Sequence, residues 1–276
     1  MHRIKFLSFY LGLILLLSFA VLSCSNDDNV ITPLPVDSSD FRYPFKDGST
    51  WNYTITTSAS DIHPDSILHY FSNYPLVTNG TATILYDTMI NSVVTKCFLD
   101  EFNNGTISYS NRYYYINNDT SLILYASRQQ GPPTGMLPLR KIKLFPDVQN
   151  DNLPVVYDNK LEVQEDSLYS TLKYPMRTGT EWSYYFPSLN YSYTRKYLGF
   201  ETIIISSGTF SCMKELTTIS LLPNTSYFNY YSGTGLMKTR WFTDDNVHTT
   251  VFSPDGDGTY DITTEMKVTS YNIPEN

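Results

Sequence analysis

Few residues in this chain carry reactive side chains, and their spacing excludes more chemistry than it supports. Three aspartates alternate with glycines in Phe252-Ser253-Pro254-Asp255-Gly256-Asp257-Gly258-Thr259-Tyr260-Asp261. Asp255, Asp257 and Asp261 offer the hard oxygen ligands that Ca²⁺ requires, although no distal bidentate Glu follows. The same residues also suit a hairpin turn that needs positive φ, and the turn is the reading adopted. Beyond His2, the histidines are His63, His69 and His248. That leaves little material for a Ser-His-Asp triad or a histidine metal site. Asp100, Glu101, Glu201 and Glu215 are carboxylates of the type that glycosidases pair, and solvated strand faces are the reading adopted for all four. Gly233-Thr234-Gly235 has no following helix to hold an anion, so it reads as a turn or bulge. No enzyme is expected.

The elements that would position these groups are strands. Aromatic residues make up 15% and charged residues 17% of the 276 residues, with 24 tyrosines. Good helix formers are scarce, so the expected class is all-β: a strongly curved antiparallel sheet or half-barrel with little helix. Trp51, Tyr53 and Ile55 alternate with polar residues behind a turn marked by Pro44 and Gly48. The arrangement returns as Tyr174-Pro175-Met176-Arg177-Thr178-Gly179-Thr180-Glu181-Trp182-Ser183-Tyr184. Gly48, Trp51 and Tyr53 thus correspond to Gly179, Trp182 and Tyr184, which reads as two pseudo-repeat halves, 41–146 and 167–276, joined at about 128–166. Each half reaches a tyrosine-rich strand, Tyr113-Tyr114-Tyr115 and Tyr227-Phe228-Asn229-Tyr230-Tyr231. Further strands are expected at 83–86, 93–102, 107–116, 122–127, 182–186, 202–206, 210–219, 226–231, 236–242, 248–252 and 260–271. A short helix is expected at 65–71.

The N-terminus sets the compartment. His2, Arg3 and Lys5 precede an uncharged run from Phe6 to Leu22 that ends at Ser23-Cys24, followed by Ser25-Asn26-Asp27-Asp28. The run is at the short edge of what spans a bilayer, and the small residue before Cys24 favours a cleaved secretory signal. It resembles the lipobox of bacterial lipoprotein precursors. That resemblance implies a signal peptide at 1–23, a covalent lipid on Cys24, and membrane attachment through it. Residues 24–40, with Pro33 and Pro35 and no apolar period, read as anchor and tether, with the β domain at 41–276. Asp27 and Asp28 resemble the export signals of surface lipoproteins in Bacteroidetes-like bacteria, which implies the outer membrane.

With the lipid on Cys24, Cys97 and Cys212 remain. A bridge between them would close a loop on the order of 100 residues, worth roughly 4–5 kcal/mol in the chain-entropy model. Two unpaired, buried thiols is the alternative, and the one adopted. The formal charge of −8, made more negative by removing Arg3 and Lys5, together with the lack of any basic cluster, argues against nucleic acid.

Gly48-x-x-Trp51-x-Tyr53, Gly179-x-x-Trp182, Ser207-Gly208-Thr209-Phe210 and Tyr231-Ser232-Gly233-Thr234-Gly235-Leu236-Met237-Lys238 together resemble a group of largely uncharacterised bacterial lipoproteins. Those proteins are similar to half-barrel lipoprotein carriers, and the resemblance implies an apolar or amphipathic ligand on the concave face. Tyr113, Tyr115, Tyr227 and Tyr231 are the candidate contacts. The alternative is a surface module that binds glycan or protein, for which Trp51, Trp182 and Trp241 would form an exposed row. Core is the reading adopted for these tryptophans.

Overall fold

The structure is a computed structural model and describes residues 38–103, 108–128, 161–163, 169–186, 191–220, 222–243, 249–251 and 258–275. Cys24, His248, Asp255 and Asp257 lie outside them. The described residues fall in the unit Asp37–Asn276. In chain order the strands are β1 (Ser38–Ser39), β2 (Thr50–His63), β3 (Leu76–Ile90), β4 (Val93–Asn103), β5 (Ser108–Asn117) and β6 (Ser121–Arg128). Next come β7 (Glu162–Val163), β8 (Tyr169–Lys173), β9 (Met176–Arg177), β10 (Glu181–Phe186) and β11 (Tyr191–Ile205). The last are β12 (Gly208–Ile219), β13 (Leu222–Ser232), β14 (Gly235–Thr243), β15 (Thr249–Val251) and β16 (Gly258–Asn272). The helix expected at 65–71 is present as a 3₁₀ helix, Asp65–Phe71.

Every pairing is antiparallel, and one sheet runs β10-β11-β12-β13-β14-β16-β2-β3-β4-β5-β6-β7, with β8 also on β6 and β15 on β16. It curls into a nearly closed barrel, further round than the half-barrel expected. Short connections between neighbours explain the meander order, and β16 pairs with β2 along most of its length.

Alternation decides what fills the interior. Trp51, Tyr53 and Ile55 on β2, Phe98 on β4, Tyr113 and Tyr115 on β5, Tyr197 on β11, Met213 on β12 and Tyr231 on β13 belong to one buried cluster. Tyr114, at the intervening position of β5, packs on the outer face with Cys97 and Ala126. Trp51 stacks on Phe98 and meets Tyr43, and Tyr115 lies edge-on to Phe45 and Phe98. The segment ahead of β2 therefore packs Tyr43 and Phe45 against the core.

The two Gly-x-x-Trp turns share a geometry. Gly48 and Gly179 sit at φ of 80° and 85°, the left-handed region that favours glycine. The N–H of the next residue bonds three residues back, Ser49 to Lys46 and Thr180 to Arg177, each at 3.0 Å. Each glycine N–H crosses to the neighbouring strand at 2.8 Å, Gly48 to Ile84 and Gly179 to Tyr197. Trp51 and Trp182 are both buried and in the same cluster. The likeness is described at these turns; the strands that follow differ in length and partners, and both parts of the chain share one core.

Some boundaries move. Ser38–Ser39, expected in the tether, pair with Met176–Arg177. Arg128 and Glu162–Val163, expected in the joint, belong to β6 and β7. β3 and β11 each extend far upstream of the runs expected at 83–86 and 202–206, where Thr, Asn, Arg and Lys interrupt the apolar alternation.

Candidate functional site

Inside the barrel a polar ladder crosses four adjacent strands. Register sets Tyr197 opposite Glu215 and Arg195 opposite Thr217, then Glu215 opposite Asn229 and Asn229 opposite Thr239. Arg195 therefore reaches Glu215 on the diagonal, and its Nη1 donates to both carboxylate oxygens, at 3.2 and 3.0 Å. The Thr217 hydroxyl donates to Glu215 Oε1, and Asn229 Nδ2 donates to the same oxygen at 3.4 Å. Thr239 Oγ1 in turn donates to Asn229 Oδ1 at 2.9 Å. Glu215 and Arg195 are 0% and 4% exposed, so this is a desolvated ion pair whose remaining acceptor capacity is met by hydrogen bonds, the condition under which such a pair is tolerated.

A second carboxylate, Asp100 on β4, is also buried. Tyr53 of β2 donates its hydroxyl to Asp100 Oδ1 by passing over Gly80, its register partner on β3, where a Cβ would collide with the Tyr53 ring. Asp100 and Glu215 thus correct the expectation of solvated carboxylates, whereas Glu101 and Glu201 are exposed as expected. The signal was present in the strand period. Glu215 shares parity with Met213, Thr217 and Ile219, and Arg195 with Tyr193 and Tyr197; a charged residue at the inward parity of a strand points to a buried network.

The barrel closes along a seam where side chains replace a backbone ladder. Trp182 Nε1 donates to the Ser170 carbonyl at 2.9 Å, and Arg195 Nη1 to that of Thr171 at 3.0 Å. The Tyr197 hydroxyl accepts from Lys173 N at 3.0 Å and donates to Lys173 O at 2.9 Å. Edge strands with unpaired N–H and C=O groups are prone to mispairing, and three side chains from β10 and β11 cover this edge of β8. Burial, and after it the Glu215 charge, pushes the Tyr197 and Tyr231 hydroxyls well above the usual phenol range.

The four candidate tyrosines, Tyr113 and Tyr115 on β5 and Tyr227 and Tyr231 on β13, all belong to the interior cluster. Their rings are packed, with exposures between 1% and 6%. The glycan row does not form at Trp51 or Trp182, which are buried and donate to the carbonyls of Thr234 and Ser170; the Trp241 side chain lies outside the described residues. Tyr53 is in the core and Tyr184 packs on its edge.

Asp261 lies in the strand expected at 260–271, within β16, buried and paired with Ser60. Among the described residues no group of three His, Cys, Asp or Glu side chains is placed to hold a metal. His69 Nδ1 is 2.9 Å from the Ser66 carbonyl. Cys97 and Cys212 are both buried and unpaired. They occupy different clusters, on β4 and β12, which are not neighbours in the sheet. Burial pushes the Cys212 thiol up to about 12.

No family model matches the chain, and no curated protein matches it. Two solved structures are similar to it. One is a protein classed as exported, with a YmcC-like fold, from Bacteroides fragilis NCTC 9343; it is 10% identical over 85% of this chain and 100% of that one, at a TM-score of 0.41. The other is a protein classed as a lipoprotein from Parabacteroides distasonis ATCC 8503, 10% identical over 84% of this chain and 99% of that one, at a TM-score of 0.35.

Proposed function

We propose that this chain is a non-catalytic lipoprotein of the bacterial outer membrane, anchored through Cys24, whose barrel binds an apolar or amphipathic ligand. The anchor rests on the basic start, the apolar run and the Ser23-Cys24 boundary. The ligand rests on one observation above the others: Tyr113 and Tyr115 of β5 and Tyr227 and Tyr231 of β13 all belong to the interior cluster, and the β13 pair flanks Asn229 of a polar ladder built from Arg195, Glu215, Asn229 and Thr239. Apolar walls beside a polar belt match an amphiphile, whose burial would contribute roughly 25 cal/mol per Å² of apolar surface. Because the rings are packed, entry requires their displacement. The non-catalytic reading is supported by the use of the interior carboxylates: Glu215 is engaged by Arg195, Thr217 and Asn229, and Asp100 by Tyr53.

Native mass spectrometry of a form beginning at Ser25, exported to a periplasm and purified without detergent, tests the ligand. A stoichiometric lipid-sized adduct that is lost in Tyr113→Ala and Tyr227→Ala is expected. A clean apo mass would move the assignment to the surface-binding alternative, with glycan arrays as the next measurement. Metabolic palmitate labelling that persists in Cys24→Ser would remove the anchor.

A further inference from the structure

The outer face of β4, β5 and β6 carries a different arrangement, on the side of the sheet away from the polar ladder. Cys97, Tyr114 and Ala126 form a small buried cluster there, flanked by Leu161 and Val163. Two residues along each strand from the Tyr114 and Ala126 pair, Arg112 of β5 stands directly opposite Arg128 of β6. The two-residue step keeps both arginines on the Tyr114 face.

Like charges directly opposed across a sheet repel, and a buried donor with no acceptor costs further free energy. Both conditions hold at this pair. Arg112 Nε and Arg128 Nε are each buried without a hydrogen-bond partner. Among the described residues the ion pairs engage other cations: Arg42, Lys96, Arg195, Lys196, Lys214, Lys238 and Lys267. Leu99, opposite Arg112 on β4, is apolar, and Glu101 beyond it is exposed and forms none of these pairs. Both guanidinium charges reach Tyr114, where they oppose the burial that raises its hydroxyl. Among the described residues the buried charges Glu215, Arg195 and Asp100 have partners, so this half-buried couple, with its two orphaned Nε donors, stands apart.

We infer that Arg112 and Arg128 form a binding site on the outer face of the barrel for a phosphate-type oxyanion. Two guanidinium groups offer planar forks of N–H donors matched to tetrahedral oxyanions. The apolar flank of Leu161, Val163 and Tyr114 lowers the local dielectric and strengthens the attraction. An anion between the two cations relieves their repulsion. The phosphate can be free or belong to a lipid headgroup, and the shared chemistry is the same.

The test is calorimetric titration of the full-length protein in nonionic detergent with inorganic phosphate and, separately, with short-chain phosphatidic acid. Saturable one-site phosphate binding is expected, weakened about tenfold or more in Arg112→Gln and in Arg128→Gln and retained in Arg177→Gln, an exposed arginine on β9. In phosphate-free buffer each Gln variant is expected to melt at or above the wild type, because it removes a repulsion. Phosphate should then raise the melting temperature of the wild type alone. Phosphatidic acid binding about tenfold tighter than phosphate assigns the site to a headgroup, and equal affinities assign it to the free anion. Absence of saturable phosphate binding, or binding unchanged in both variants, overturns the inference. So does a melting temperature well below wild type in phosphate-free buffer, which would make the arginines packing residues.

Discussion

Substituting Tyr197→Phe tests whether side chains close the barrel. The change removes one oxygen and leaves the ring, so packing against Trp182, 5.0 Å between centroids, is retained. What is lost is a hydroxyl that serves both main-chain groups of Lys173, accepting at 3.0 Å and donating at 2.9 Å. Each hydrogen bond has a net worth of about 0.5–1.5 kcal/mol, which gives a total of about 1–3 kcal/mol. For a domain of this size that lowers the melting temperature by roughly 2–12 °C. Because Lys173 is half-buried, water can reach the freed main-chain groups, and the lower half of the range is expected. Urea denaturation followed by circular dichroism measures the loss. Amide exchange localises it, with protection falling first along β8 and β10. Tyr86→Phe, on an exposed tyrosine, serves as the control and should stay within about 0.5 kcal/mol of wild type. If Tyr197→Phe matches that control and exchange along β8 is unchanged, the seam is closed by something other than these bonds.

Other consequences can be checked with the same protein. Glu215→Gln strands the Arg195 guanidinium in the interior and should cost about 3–5 kcal/mol in urea denaturation, whereas replacing the pair together by Met and Leu should cost much less; equal losses would refute the account of the ladder. Burial raises Tyr43, Tyr197 and Tyr231 and lifts Tyr174 to about 12. Above about pH 10 the folded chain therefore holds more protons than the unfolded one. Stability should be full below about pH 10 and fall as pH rises through 12, so that the last tyrosinate absorbance develops together with the loss of circular dichroism. Early ionisation of every tyrosine in the folded protein would contradict this. Iodoacetamide at pH 8 should leave Cys97 and Cys212 unmodified until denaturant is added, since burial raises both thiols; rapid labelling of native Cys212 would refute its burial. Glu265, half-buried, is raised by burial but lowered more by hydrogen bonds from Lys238 and Lys267. Its contribution should be present above about pH 4.3 and vanish as pH falls further. Loss of that acid-side contribution in Lys238→Met, read from urea midpoints against pH, is the expected outcome.

Local chemistry in the sequence determined a good deal of this protein. Tyrosine, threonine and scarce helix formers specified strands, because such side chains fit a half-buried pleated surface. Gly48 and Gly179 announced their turns because only a residue without Cβ takes φ near 80° at little cost. The tyrosine runs were legible as one inward and one outward face from period two alone. Tertiary structure decided what no local pattern encodes. Arg195 and Glu215 are twenty residues apart, and only the register of β11 on β12 brings them together. Ser170, Thr171 and Lys173 became the closing edge because curvature of the whole sheet carries β8 round to β10 and β11. The couple of Arg112 and Arg128 exists because a register shift between Tyr114 and Tyr115 sets which residues of β5 and β6 face each other. Strand identity follows from the side chains of a few consecutive residues, whereas pairing depends on bulges and closure, which are properties of the assembled sheet.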